Sequence, residues 1–353
     1  MARTLVKKDR IPWTHLALFG WLPSPLKRLA YRVFLGYRIG RSVQFGVLGV
    51  VVGQDVVLGD HVSIGSFAIV SGRRIHIGRH SSVGTFSYVA CEDIEIGEDA
   101  KIREQVFVGG PQLPDSKFVL GSRTIILQMA YINPTKPVVI GDDTGIGGHC
   151  LIFTHGSWLN ILDGYPVTFA PVTLGKSVWL PWRVFIMPGV TIGDGSVIGA
   201  NSLVTSAIPP YSLAMGSPAK VVKSAPDFPR RPTPEQRAGI VAKMIGAFDR
   251  YMEYSGVSLA VEGDRRTYRS PDAGTWRLWW RAAGAPAADS PVAPGDTILS
   301  ETPLDAATRE RYRAQRVYWL DLAGYTRSDD GSPLAEELAA FISRYGIRLP
   351  RDG

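Results

Sequence analysis

One histidine lies in a segment whose residue types could carry out acid–base chemistry. His155 belongs to the run Thr154-His155-Gly156-Ser157-Trp158, and Asp163 and Tyr165 follow shortly after it. An imidazole titrates near neutral pH, so it is the usual base for removing a hydroxyl proton, provided that a neighbour fixes its tautomer. Asp163 or a backbone carbonyl could do this, and the sequence does not choose between them. The segment predicts His155 as a general base, with Trp158, Asp163 and Tyr165 as candidate substrate-binding residues.

Aliphatic residues recur every six positions along the middle of the chain, and this repeat predicts the elements that hold the histidine in place. Six residues match neither a helix nor a simple alternating strand, so the simplest interpretation is one short strand and one turn per repeat, with one side chain pointing inward. Three such repeats make a triangular coil of about 18 residues, and coils stack through backbone hydrogen bonds. The repeated positions are Leu58, Ile64, Val70, Ile77, Val83, Val89, Ile96, Ile102, Val108, Ile140, Ile146, Ile152, Leu174, Leu180, Ile186, Ile192, Ile198 and Val204.

The six-residue count breaks twice, and a solenoid accepts insertions at its corners. The first break lies between Val108 and Ile140 and contains turn formers such as Gly109-Gly110-Pro111 and Asn133-Pro134. The second lies between Ile152 and Leu174 and contains the candidate base. We therefore expect two loops that project from the coils, the second of them carrying His155.

The chain has 353 residues, more than a typical single domain, so the repeats are expected to occupy only its middle. We predict an N-terminal basic and aromatic segment (1–42), a β-helix (43–223) and an α-rich, aromatic-rich extension (224–353). In the extension, Thr233-Pro234-Glu235-Gln236 predicts a capped helix start, and 334–345 a final helix. We expect the first of these helices to pack on the solenoid, and the aromatic residues to fill a small core more readily than to stack on sugars.

The N-terminal segment carries most of the chain's net charge of +7. Its apolar residues suit either a cap over the open strand edges of the solenoid or contact of residues 11–38 with an anionic membrane. No apolar run reaches the roughly 18 residues that span a bilayer. We expect the protein to be cytoplasmic, with peripheral contact to the inner membrane face as the alternative. The basic residues are Arg3, Lys7, Lys8, Arg10, Lys27, Arg28, Arg32, Arg38 and Arg41, opposed by Asp9 alone.

The composition argues against a nucleic-acid partner and against a role for the cysteines in disulfides or metal binding. A nucleic-acid partner would call for a basic stripe with a recognisable reading motif, and neither is visible. The two cysteines, Cys91 and Cys150, lie far apart and form no disulfide framework or metal-binding pair, which favours a reducing compartment and a role as buried apolar residues.

Several segments of the chain occur in a fixed order: Ile140-Gly141-Asp142, Thr154-His155, Val178-Trp179-Leu180, Pro188-Gly189-Val190-Thr191-Ile192-Gly193-Asp194, the stretch 197–205 and Gly216-Ser217-Pro218-Ala219-Lys220-Val221-Val222. Together they resemble the hexapeptide-repeat acyltransferases, a family of left-handed parallel β-helix enzymes that includes galactoside, maltose and polysaccharide O-acetyltransferases. The resemblance covers most of 43–223 and implies a left-handed, mainly β fold. It also implies a homotrimer that binds acetyl-coenzyme A between neighbouring subunits, with His155 as catalytic base.

The resemblance implies roles for six further residues along the cofactor. They are Trp182, whose backbone N–H would meet the thioester carbonyl, Ala200, Thr205 and Ser206 along the pantetheine arm, and Lys220 and Lys223 near the nucleotide phosphates.

Two departures from the family pattern fall in this region. Trp179-Leu180-Pro181-Trp182 stands where relatives have Trp-Ile-Gly-Gly or Trp-Ile-Gly-Ser, and Ala200-Asn201-Ser202 stands where they have Ala-Gly-Ser. Either change would narrow or reshape the acyl site, and neither removes the base.

Together these expectations predict that an acceptor hydroxyl attacks the thioester directly. The predicted acceptor is a sugar in cell-surface polysaccharide or glycolipid assembly. No metal is expected. One alternative is a non-catalytic solenoid scaffold. Another is a metal enzyme like the gamma-class carbonic anhydrases, because His149 and His155 are one repeat apart and His76 and His80 lie in an earlier coil. Those enzymes, however, lack the closing segment that begins at Gly216.

Overall fold

The computed structural model describes residues 11–272, 274–283, 292–329 and 331–352. The chain divides into two compact units, Met1–Arg230 and Arg231–Gly353. Arg3, Lys7, Lys8, Asp9 and Arg10, which supply part of the predicted N-terminal charge, lie outside the described residues. Part of the stretch 282–295 between the aromatic segments lies outside them too.

The first unit begins with two helices and continues as stacked coils, each with three short strands. The helices are α1 (Trp13–Phe19) and α2 (Ser24–Leu35). Coil 1 contains β1 (Arg38–Ile39), β2 (Gln44–Phe45) and β3 (Val50–Val52); coil 2, β4 (Asp55–Leu58), β5 (Ser63–Ile64) and β6 (Ile69–Ser71); coil 3, β7 (Arg74–Ile77), β8 (Ser82–Val83) and β9 (Tyr88–Ala90); coil 4, β10 (Asp93–Ile96), β11 (Lys101–Ile102) and β12 (Phe107–Val108).

The second half of the stack holds the two-stranded insertion and the closing strands. Coil 5 contains β13 (Lys117–Leu120), β14 (Ile125–Ile126) and β15 (Tyr131–Asn133); coil 6, β16 (Val138–Ile140), β17 (Gly145–Ile146) and β18 (Leu151–Phe153). The insertion contains β19 (His155–Gly156) and β20 (Thr168–Phe169). Coil 7 contains β21 (Val172–Leu174), β22 (Trp179–Leu180) and β23 (Phe185–Ile186); coil 8, β24 (Thr191–Ile192), β25 (Val197–Ile198) and β26 (Leu203–Val204); and β27 (Leu213–Gly216) and β28 (Ala219–Lys223) close the stack.

The strands assemble into three sheets, one for each face of the coil. Sheet A has the order β1-β4-β7-β10-β13-β16-β21-β24, sheet B runs from β2 through β25 to β27 and β28, and sheet C runs from β3 through β18 and β23 to β26. Pairing between coils is parallel and in register, as in Leu58 opposite Ile77 and Ile64 opposite Val83. Every inward position predicted from the rhythm is 3% exposed or less. The predicted fold class, a mainly β parallel β-helix, is confirmed.

Glycine after the inward residue is required by stacking and not by an unusual dihedral angle. A Cβ on Gly59 would lie 2.6 Å from the backbone nitrogen of Arg79 in the next coil. The left-handed backbone falls two residues later, on side-chain-bearing residues such as His61 (φ 60°) and Phe67 (φ 58°). The corner therefore needs a small residue where coils touch and accepts a larger one where the chain turns.

The prediction of a long loop between Val108 and Ile140 was wrong. Coil 5 lies there, with Leu120, Ile126 and Ile132 buried at six-residue spacing. Only 109–116 departs from the stack. Of the turn formers that suggested a loop, Gly109-Gly110-Pro111 lies in this departure, whereas Asn133-Pro134 lies at the end of β15, where the coil turns in any case.

Helix α2 lies across the open end of coil 1 and satisfies its backbone carbonyls with basic side chains. The Lys27 ammonium donates to the carbonyl oxygens of Gly20 (3.1 Å) and Gly49 (2.9 Å), and Arg28 donates to the carbonyl of Val43 (3.2 Å). Arg32 donates to the carbonyls of Ile39 and Gly40. Apart from Gly20, which ends α1, these carbonyls belong to coil 1 and have no preceding coil to pair with, so the helix caps the stack.

The second unit combines helices with a sheet that the sequence analysis did not predict. Its helices are α3 (Pro234–Tyr254), α4 (Ala306–Ala314) and α5 (Pro333–Ile342), and its sheet has the order β29-β30-β31-β32-β33-β34. The strands are β29 (Ser258–Glu262), β30 (Arg265–Ser270), β31 (Gly274–Arg281), β32 (Thr297–Ser300), β33 (Tyr318–Asp321) and β34 (Thr326–Arg327). The expected helices are present, and none of the described helices is long and apolar enough to cross a membrane.

Most of the apolar face of α3 is buried in the core of its own unit, and its packing on the solenoid stays a prediction. Met244 and Phe248 belong to the same core as Tyr268 of β30, Leu278 of β31 and Phe341 of α5. We expected the aromatic residues of this unit to fill a core, and Trp279 (8% exposed) and Trp319 (1% exposed) are indeed buried.

Candidate active site

The candidate base lies where the chain leaves coil 6, at the corner between sheets C and A. Thr154 fixes the start of the insertion: it is fully buried, its hydroxyl donates to the carbonyl of Asn133 (2.7 Å), and it accepts from the backbone N–H of Lys136 (2.9 Å). At the other end, the backbone N–H of Ala170 donates to the carbonyl of Thr154 (2.9 Å). Both ends of the insertion are thus held on the β-helix, and His155 directly follows the anchor.

His155 is part of a short antiparallel ladder and not of a free loop. It pairs with Phe169, and Gly156 pairs with Thr168. The imidazole stacks on the Phe169 ring, with centroids 5.7 Å apart and planes at 17°. Sequence reasoning missed Phe169, because a two-residue ladder in a loop has no period to reveal it. The ladder and the stacking restrict the orientation of the ring, as a positioned base requires.

The imidazole has one nitrogen without a partner. Its Nδ1 is buried and, within the described part of the chain, has no hydrogen bond. Neither of the two orienting groups that the sequence left open, Asp163 or a backbone carbonyl, bonds to this nitrogen among the described residues. Asp163 lies in the 3₁₀ turn Ile161–Asp163 and is exposed. A buried polar atom left unpaired carries a penalty of roughly 1–3 kcal/mol. A group from outside this single chain would relieve that penalty and fix the tautomer.

The other predicted substrate residues lie on the outer part of the insertion. Trp158 is 96% exposed and Tyr165 is 48% exposed. Leu162, which was not predicted, is 89% exposed on the same projection. Such exposed apolar side chains on a projecting segment are typical of a surface that becomes covered in an assembly or a complex.

Trp182 lies at the opposite end of the strands of sheet C, at the corner between sheets B and C. Its ring lies flat over Gly148 of coil 6: a Cβ on Gly148 would be 2.5 Å from Cζ3 of the indole. His149 is its other neighbour, with ring centroids 5.6 Å apart. The bulky side chain that departs from the family pattern therefore packs on the preceding coil. Its backbone N–H donates to no backbone carbonyl in the described chain.

The predicted cofactor residues form two sets that one chain does not bring together. Ala200 lies at the B–C corner, one coil beyond Trp182, whereas Thr205 and Ser206 follow β26 at the C–A corner, on the side of His155. Lys220 and Lys223 lie on β28, which closes sheet B. All of these residues except Trp182, which is half-exposed, are fully on the surface.

Between the two sets runs an apolar outer face on sheet C. Aromatic rings from successive coils stack along it, with centroids 5.0–5.4 Å apart: Tyr88, Phe107, Tyr131, Phe153 and Phe185. The outer face of sheet A differs, because ion pairs such as Arg74 with Asp93 and Lys117 with Glu95 cover it. A signal for the aromatic face existed in the sequence, since most of these residues directly precede an inward aliphatic residue.

The cysteines offer no alternative nucleophile. Both are buried, and burial raises the pKa of Cys91 to about 12 and that of Cys150 to about 11. A thiolate is the reactive form, so neither is activated near neutral pH. Among the described residues no group of three or more His, Cys, Asp or Glu side chains is placed to hold a metal ion.

Two cavities of the chain do not include the candidate base. One of about 370 Å³ lies beside Arg73 and Glu92, and one of about 620 Å³ lies beside Arg269 and Arg277 in the second unit.

No protein-family model matches the chain. It is 37% identical over 124 residues to galactoside O-acetyltransferase of Escherichia coli K12, a match that covers 32% of this chain and 60% of that protein. It is 57% identical over 53 residues to a protein of Staphylococcus aureus MRSA252 that is provisionally named an acetyltransferase, covering 15% of this chain and 27% of that protein. Both matches span less than two thirds of the relative's own length. The resemblance to hexapeptide-repeat acetyltransferases is confirmed.

Solved structures with a similar fold include a hexapeptide-repeat acetyltransferase of Vibrio cholerae in complex with acetyl-coenzyme A. It has 26% identity and a TM-score of 0.30, covering 42% of this chain and 70% of that one. Another is a galactoside acetyltransferase in complex with coenzyme A, with 22% identity and a TM-score of 0.27, covering 61% of this chain and 79% of that one.

Proposed function

We propose that this chain, whose β-helix resembles the hexapeptide-repeat acetyltransferases, transfers an acetyl group from acetyl-coenzyme A to a hydroxyl of a sugar. The observation that carries the proposal is the placement of His155. It directly follows a buried anchor, is restrained by Phe169, and lies at the edge of the apolar outer face of sheet C. The relative named galactoside O-acetyltransferase supports a sugar hydroxyl as acceptor.

In this mechanism His155 takes the proton of the acceptor hydroxyl as the oxygen attacks the thioester carbonyl carbon. The backbone N–H of Trp182 donates a hydrogen bond to the oxyanion that forms. Collapse of the tetrahedral intermediate breaks the C–S bond, and the imidazolium returns the proton to the departing thiolate. The products are the acetyl ester and free coenzyme A, and no acyl-enzyme forms.

Because His155 and Trp182 lie at opposite ends of the strands of sheet C, the site we propose is composite. The aromatic face of one copy packs against a second copy in a homotrimer. The His155 corner of one subunit then faces the Trp182 and Ala200 corner of its neighbour. A donor to the unpaired Nδ1 of His155, or an acceptor from it, would come from that neighbour or from the acceptor sugar.

For the acceptor we propose a sugar of a cell-surface polysaccharide or glycolipid. Trp158 and Tyr165 would stack on its ring, since aromatic side chains present a flat apolar surface with a polar edge. Lys220 and Lys223 would bind phosphates of the coenzyme.

The test is release of coenzyme A from acetyl-coenzyme A by the full chain with nucleotide sugars, lipid-linked sugars and simple glycosides. We expect acceptor-dependent release that His155→Ala reduces by at least about 100-fold, because a positioned base contributes roughly 10²–10⁴-fold. His76→Ala is the matched control, since His76 is exposed on the outer face of sheet A and should leave the rate unchanged.

Release that survives His155→Ala would contradict the proposed mechanism. Absence of release with every acceptor, by a protein shown to be folded, would favour the scaffold alternative.

A further inference from the structure

The two N-terminal helices expose an apolar surface that the β-helix does not use. Seven large apolar side chains on the two helices and the turn between them are between 54% and 76% exposed, and we call this set the outer helix face: Trp13, Leu18, Trp21, Leu26, Leu29, Val33 and Phe34. Single exposed apolar residues are ordinary, but seven of them on one short segment, two of them tryptophans, mark an interaction surface.

The opposite side of the same helices is firmly held. Tyr31 of α2 is fully buried, and its ring contacts those of Phe19 and Phe45 at 5.4 Å. Lys27 is also fully buried and donates to the carbonyl of Gly20, which ends α1, and to that of Gly49 in coil 1. Helix α2 thus presents one face to the coil and the outer helix face away from it. The outer face contributes little to folding, so its apolar character needs another explanation.

The two helices themselves carry charges of one sign. Between residues 10 and 54 the sequence contains no Asp or Glu, and the next acidic residue is Asp55. In the same stretch Arg28 and Arg32 lie on α2, whereas Arg38 and Arg41 at the first coil form ion pairs with Asp55 and Asp60. Four further basic residues and one acidic residue precede Ile11 in the sequence. An anionic partner would therefore meet no carboxylate on α1 or α2.

We infer that the outer helix face docks on the surface of an anionic lipid bilayer. Short amphipathic helices bind in the headgroup layer by burying their apolar side, and basic residues add attraction to anionic lipids. Tryptophan suits that layer because its ring is apolar and its N–H is polar. The lack of carboxylates distinguishes this surface from the outer face of sheet A, where both charges alternate. The inference does not depend on the proposed acetyl transfer.

The direct test is co-sedimentation of the full chain with vesicles of phosphatidylcholine alone and of phosphatidylcholine with phosphatidylglycerol. We expect binding to the anionic vesicles that weakens with salt. The variant Leu29→Gln with Phe34→Gln should bind at least about tenfold less, because burying one large apolar side chain is worth more than the 1.4 kcal/mol that a tenfold change represents. Ile240→Gln is the control, since Ile240 is also exposed on a helix (50%).

A second measurement locates the contact. The native cysteines are buried, so a cysteine introduced by Leu29→Cys can be labelled selectively with an environment-sensitive dye. Its emission should shift to the blue with anionic vesicles, while that of Ile240→Cys should not. Three results would overturn the inference: no vesicle binding by the folded wild type, equal binding by the double variant, or a smaller oligomer in the double variant, which would identify a contact between copies.

Discussion

At the scale of single residues, the candidate site depends on the surroundings of one imidazole. Its ring is restrained by Phe169 and its Nδ1 is buried without a partner. The sequence could identify His155 because the six-residue rhythm stops just before it. It could not identify Phe169 or exclude Asp163 as the orienting group, because loop residues obey no period and their contacts depend on the path of the chain.

We predict that Phe169→Ala lowers kcat by roughly one to two orders of magnitude, because a base that loses its positioning contact spends less time in reactive geometry. The KM for acetyl-coenzyme A should change little, and Phe169→Tyr should restore kcat. Steady-state kinetics of the three proteins checks this. A fall in stability without a change in kcat would show that the ring is merely structural.

Lys27 gives a prediction about stability and pH. Burial lowers its pKa from 10.5 to about 8 in the folded protein. The unfolded chain therefore binds more protons between pH 8 and 10.5, and the contribution of Lys27 to stability rises with pH across that window. Below pH 8 the side chain is charged in both states, and this dependence disappears.

Relative to Lys27→Met, the wild type should gain up to about 1.4 kcal/mol per pH unit between pH 8 and 10.5. Denaturant unfolding of both proteins at pH 7.5 and pH 9.5 measures the difference. If the two free energies of unfolding change in parallel, the ammonium is not desolvated as the structure indicates.

At the scale of elements, the stacking of coils controls the predicted thioester position. Trp182 lies over Gly148 and Trp179 lies over Gly145, and in each pair a Cβ on the glycine would be 2.5 Å from the indole ring. The same contact thus occurs twice, once at the candidate site and once on sheet B.

We predict that Gly148→Ala displaces Trp182 and raises the KM for acetyl-coenzyme A by about tenfold or more, since a displacement near 1 Å is enough to lose productive geometry. Gly145→Ala is the matched control: it introduces the same clash with Trp179 and should leave the KM nearly unchanged. Kinetics with thermal unfolding of both variants separates binding from stability. An equal effect of the two substitutions would mean that Trp182 has no special role.

At the scale of the whole molecule, the β-helix was predictable and the second unit was not. Every aliphatic residue of the rhythm is buried, because a parallel stack repeats one environment in each coil. The sequence analysis did not predict coil 5, because the Gly and Pro residues around it are also typical of an inserted loop. In the second unit, strand Arg265–Ser270 has one buried residue, Tyr268, so its sequence lacks the apolar alternation that identifies a strand.

The central claim is a composite site in which His155 of one copy acts beside Trp182 and Ala200 of its neighbour. The most direct measurement is acetyl transfer by oligomers co-expressed from two inactive chains, His155→Ala and Ala200→Trp, the latter blocking the corner next to Trp182. In random mixtures about one quarter of the subunit contacts would join an intact His155 corner to an intact Trp182 corner, so the account predicts about one quarter of wild-type activity. Mixed oligomers that form but remain inactive would contradict it.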